Sequence, residues 1–90
     1  MKIQHLSGKY LEDMGHRFRL IRTYLKFDQK VFAGELKTTQ SQISKIEAGK
    51  AAPTLHHLLI IRELADQNEN ISGSLSWSWL LEGKGNIFEE

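Results

Sequence analysis

The sequence predicts an all-α protein of five short helices. Three observations carry this expectation. Apolar residues recur at helical spacing in four segments, residues suited to cap a helix stand ahead of the later ones, and glycines or polar runs close them.

The first helix is expected from about Met14 to Leu25, where Met14, Phe18, Ile21 and Leu25 fall on one face. A second follows an Asp28 N-cap, with Phe32, Ala33 and Leu36 as its apolar stripe. The third opens at Thr39. Gln42 three residues later completes a capping-box pattern, in which the threonine oxygen takes the Gln42 amide and the glutamine side chain returns to the Thr39 amide. Only Ile43 and Ile46 are apolar in this helix; Gln40, Ser41, Gln42, Ser44 and Lys45 line its other side, and Gly49 is suited to the left-handed stop. The fourth starts after Pro53 with Thr54 as N-cap, carries Leu55, Leu58, Leu59, Ile60 or Ile61 and Leu64, and ends near Gln67. It is more apolar than one buried stripe requires. A polar stretch from Asp66 to Ser76 reads as a loop, and Ser76 caps a short fifth helix stopped by Gly83. No strand is expected.

Ninety residues allow one domain with a modest core, near the size where a second copy would add useful stability. The absence of cysteine excludes a disulfide framework and thiolate metal ligation, as suits a reducing compartment. The opening MKIQHLSGKY lacks the apolar run of a signal peptide, and no stretch approaches the ~18 apolar residues of a membrane span. The expectation is a soluble cytoplasmic protein with no membrane partner. Net charge is only +1, but it is unevenly spread: residues 15–62 carry nine Lys or Arg against Asp28, Glu35 and Glu47, whereas residues 63–90 carry Lys84 against six acids. The positive charge thus falls on the segment holding the polar third helix, as attraction to a polyanion would require.

Gly15 to Leu59 resembles the helix-turn-helix domain of the Cro and phage-repressor family, often called the XRE type. The residues that carry the resemblance are Arg22 in the first helix, Gln29 and Ala33 in the second, the run Thr38-Thr39-Gln40, and then Ile43, Ile46, Glu47, Gly49, Lys50 and Pro53. Trp79 to Gly85, WLLEGKG, is similar to the family's closing helix and glycine stop. The resemblance implies a five-helix, lambda-repressor-like DNA-binding fold. Residues 1–13 would be an N-terminal extension, 14–66 the helix-turn-helix core, and 67–90 a loop, short fifth helix and tail available for dimerisation. It also implies a regulator of transcription, in the economical case a repressor, that binds a palindromic operator in double-stranded DNA as a homodimer with its third helix in the major groove.

Side-chain chemistry supports the base-reading role. One amide can donate to adenine N6 and accept at N7, which makes Gln40 the first candidate for a base contact. Ser41 and Ser44 can meet donors or acceptors, and Lys45 suits guanine O6 and N7 or a nearby phosphate. Phosphate contacts are expected from Gln29, Thr38, Thr39, Gln42 and Lys50, which fix position without reading sequence. Arg17, Arg19, Lys26 and Lys30 would add longer-range attraction. Standing alone, each of these would be read as a solvated surface residue; the co-linear pattern favours contact. In the family the pair matching Arg22 and Glu47 is a partly buried ion pair, implying a structural role here.

Three departures stand out. Lys37 occupies the turn position where the family has glycine, the Asp66 to Ser76 loop is long, and residues 1–13 have no family counterpart, so Leu6, Tyr10 and Leu11 are expected to form a short helix or an arm. Trp77, Ile87 and Phe88 are the dimer-interface candidates, with Trp79 and Leu80 assigned to the core. Catalysis is not expected. His5, His16, His56 and His57 lack metal-site spacing, the adjacent pair points about 100° apart on a helix, and no cofactor is called for. The alternative reading is a protein-interaction module, such as the antitoxin of a toxin-antitoxin pair, in which the apolar fourth helix and Trp-rich tail would hold a protein partner.

Overall fold

Among the described residues four side-chain oxygens set helix starts, and each accepts the amide three residues on. Asp28 Oδ1 takes Val31 N at 2.8 Å, Thr39 Oγ1 takes Gln42 N at 3.1 Å, Thr54 Oγ1 takes His57 N at 3.1 Å, and Ser76 Oγ takes Trp79 N at 3.2 Å. The structure, a computed structural model, describes residues 8–90. Its elements are α1 (Gly8–Tyr24), α2 (Gln29–Glu35), α3 (Gln40–Glu47), α4 (Leu55–Gln67), β1 (Ser74–Leu75), α5 (Trp77–Glu82) and β2 (Phe88–Glu89).

The helix ends are equally local in origin. After α1, Phe27 N bonds Arg22 O and Lys26 is left-handed with φ +63°; after α2, Thr38 N bonds Ala33 O and Lys37 has φ +57°. After α3, Lys50 N bonds Lys45 O around Gly49. Three successive helices therefore close with the same left-handed stop, two of them with lysine where glycine would be unstrained.

Two features differ from the sequence expectation. Helix α1 is already formed at Gly8, the first described residue, rather than starting at Met14, because its first described turns have tertiary partners. Tyr10 Oη donates to Leu81 O at 2.7 Å, and the Glu12 backbone lies against Gly49. Tyr10 and Leu11 are thus helical; Leu6 lies outside the described residues. The second difference is a minimal antiparallel ribbon, Ser74 opposite Glu89 and Leu75 opposite Phe88, which ties the tail back beside α5. Two-residue strands are too short to show an alternating pattern. The fold class remains all-α, a helical core with this small ribbon at its edge.

The core is built from the expected stripes. Phe18, Ile21, Phe32, Leu36, Ile43, Ile46, Ile61 and Leu80 have no exposed surface. Phe18 meets Phe32 edge to face with ring centroids 5.4 Å apart, joining α1 to α2. Helix α1 crosses α3 at Gly15, where a Cβ would lie 2.5 Å from Ile46 O; only a bare backbone allows that approach. No helix among the described residues is long and apolar enough to cross a membrane.

Candidate nucleic-acid interface

Helix α3 is amphipathic at its most compact. Its inner residues Ile43 and Ile46 are fully buried, whereas Gln40, Ser41, Ser44 and Lys45 are exposed along the outer side and Gln42 is half-buried at the flank. Thr39 caps it, so its first turn presents backbone amides beside the exposed Gln40 and Ser41. Four of the five polar residues singled out in this helix are therefore accessible from one direction.

The surroundings of that face are basic or hydroxylic. Thr38 is half-buried in the turn, and Thr39 and Lys50 are exposed at the two ends of α3. Lys30, Lys45 and Lys50 form no ion pair among the described residues, where the pairs are Lys9–Asp13, Arg22–Glu47 and Lys84–Glu82. Unpaired surface lysines release condensed counterions when they meet phosphate. Lys26, Lys30, Lys37 and Arg19 are exposed as well.

A buried polar network fixes how α3 is held. Arg22 of α1 donates from Nε to Glu47 Oε2 at 2.7 Å, from Nη2 to Oε1 at 3.0 Å, and from Nη1 to Phe27 O at 2.8 Å. The two side chains retain only 13% and 6% of their exposure. Gln29, at the start of α2, adds a third bond, Nε2 to Glu47 Oε1 at 3.1 Å. The last residue of α3 is thereby bonded to α1 and to α2 at once. Sequence reasoning assigned Gln29 outward, to a phosphate; here its side-chain amide turns inward, and nothing in the local sequence signals a partner eighteen residues away.

Other candidate residues also have contacts within their own chain. Arg17 donates from Nε to Leu80 O at 2.9 Å and from Nη2 to Leu81 O at 3.3 Å, so its charge faces the C-terminal carbonyls of α5. Trp77, Ile87 and Phe88 are half-buried against the chain's own core: Arg62 lies 5.1 Å from the Trp77 ring centre, Ser76 N bonds Ile87 O, and Phe88 meets Tyr24 edge to face. The capping box sits at α4 rather than α3, with Thr54 N donating to His57 Nδ1 at 3.2 Å. An imidazole in the third helical position was the signal missed, since it can accept as glutamine does. No group of three or more His, Asp or Glu among the described residues is placed to hold a metal ion.

A family model described as a helix-turn-helix domain matches residues 15–86, from the glycine where α1 crosses α3 to the end of the loop after α5. The chain is a member of the helix-turn-helix domain family. That family is a DNA-binding one. No curated protein and no solved structure shows a significant match to this helix-turn-helix chain. Its α2, turn and α3 form the motif itself, with α1 packed on α3 and α5 packed on α1.

Proposed function

We propose that this helix-turn-helix protein is a sequence-specific regulator of transcription of the Cro and phage-repressor type, a repressor that binds a palindromic operator as a homodimer. The single observation that carries this reading is the division of α3 into a buried Ile43–Ile46 side and an exposed row of Gln40, Ser41, Ser44 and Lys45. A helix with such a face fits the major groove, where a bidentate amide or lysine contact supplies roughly 1–3 kcal/mol of discrimination. Gln40 reads an A·T pair, Lys45 reads guanine or the adjoining phosphate, and Thr38, Thr39, Gln42 and Lys50 grip the backbone on either side. Gln29 acts from the start of α2 chiefly by holding Glu47, with its remaining amide hydrogen free for a phosphate. Two copies on a near-palindrome would set their reading helices ~34 Å apart, or a multiple of that distance.

The test is selection from random duplexes at about 150 mM salt, where purely electrostatic binding is suppressed, beside the Gln40→Ala, Lys45→Ala double variant. The expected result is a palindromic consensus for the natural protein and a degenerate one for the variant. A natural protein that selects no consensus overturns sequence-specific reading by α3.

A further inference from the structure

Helix α4 exposes more apolar surface than its own core explains. Leu55 and Leu59, one turn apart, are 70% and 53% exposed, the highest values among the large hydrophobics of the described residues. On the adjoining flank lies a groove of about 390 Å³, with His56, Ile60, Glu63 and Leu64 on its α4 side and Glu35 and Lys37 at the end of α2 on the other. Two polar side chains flank the apolar ones on the groove side, His56 in the first turn and Glu63 in the second half, while Arg62 beside Glu63 lies over the Trp77 ring.

We propose that a second copy of this chain occupies this face, α4 against α4 in antiparallel array about a twofold axis passing between Leu59 and Ile60. The inference rests on the homodimer reading above and supplies the surface for it. A twofold at that point sets His56 of each copy opposite Glu63 of the other, so one favourable pairing is made twice, as an isologous contact requires. Parallel packing would instead set Glu63 against Glu63. The antiparallel arrangement also opposes the two helix dipoles. Leu59 of each copy then enters the partner's groove beside Ile60, a ridge of residues four apart packing into a groove as helices do. Trp77, Ile87 and Phe88, already half-buried in their own chain, leave α4 as the larger apolar exposure.

Sedimentation velocity of the full chain tests the surface, using Leu59→Glu, Glu63→Lys, and the charge swap His56→Glu with Glu63→Lys. All three positions are exposed, and circular dichroism establishes that each variant keeps its helices. Leu59→Glu is expected to weaken self-association at least about 100-fold, because every substitution is felt twice in a twofold interface. Glu63→Lys weakens it too, and the swap restores it to within about threefold of the natural protein. A Leu59→Glu chain that dimerises like the natural one overturns the proposal. So does a charge swap no better than Glu63→Lys alone, or a natural chain that stays monomeric at about 100 µM with and without DNA. Gel-shift on random duplex keeps the two readings apart: dimerisation through α4 without DNA binding sinks the regulator and leaves the interface standing.

Discussion

Lys37 holds a left-handed backbone with φ +57° in the turn between α2 and the reading helix. An L residue there costs about 1–2 kcal/mol, while glycine costs about 0.4–1 kcal/mol in unfolded-chain entropy, so the residue in place is the less stable choice. Lys37→Gly is therefore expected to stabilise the fold by about 0.5–1 kcal/mol, read as a raised urea midpoint with unchanged slope. A midpoint equal to or below that of the natural chain would show that the strain at Lys37 does not exceed the entropic cost of glycine. Gly49 is the converse case: it too is left-handed, with φ +76°, but a Cβ there would lie 2.9 Å from Glu12 Cα, so the position has no room for a side chain. The conflict at Lys37 was legible, because a family glycine position occupied by lysine can be seen in the sequence. The crowding at Gly49 was not, because Glu12 reaches it only through the crossing of α1 and α3.

At the scale of the element, α4 shows how a capping bond becomes pH-dependent. His57 Nδ1 accepts the Thr54 amide and so must be unprotonated, and the residue is only 8% exposed. Burial, and next the neighbouring His56, hold its pKa below the ordinary histidine value of 6.5. The unfolded chain thus takes up this proton first as pH falls. The contribution of the neutral ring is fully present above pH 6.5 and is lost progressively as pH drops through the folded-state value. Glutamine at the same position keeps an acceptor for the box but does not titrate. The pH dependence of the urea midpoint between about pH 7.5 and 5 should accordingly be shallower in His57→Gln than in the natural chain. Equal slopes in the two proteins would remove His57 from the account. The starts of α2 through α5 could be read because a cap and its amide are three residues apart. The start of α1 could not, since Tyr10 finds Leu81 across 71 positions.

Across the whole molecule, the placement of the reading helix depends on two side chains, one from α1 and one from α2, meeting the Glu47 carboxylate of α3. Glu47 accepts from Arg22 and Gln29 with little exposure, so its removal would strand a guanidinium in a site that water barely reaches. Loss of one partner from such a buried pair costs about 3–5 kcal/mol, a large share of the roughly 5–15 kcal/mol total of a small domain. Glu47→Ala is expected to lower the melting temperature by more than about 10 °C. Glu47→Gln, which keeps the shape and an acceptor oxygen, should lose less. The Arg22–Glu47 proximity was implied by resemblance, yet the third member was not, because Gln29 was read for what its exposed helix end could offer a phosphate. That difference has a consequence for DNA binding. If Gln29 and Glu47 together set the angle between α2 and α3, Glu47→Gln should weaken specific binding more than nonspecific binding at equal salt, since phosphate attraction survives a small tilt and base contacts do not. Equal losses for both kinds of DNA would place the network in stability alone and leave the groove-facing row of α3 to be aligned by Ile43 and Ile46.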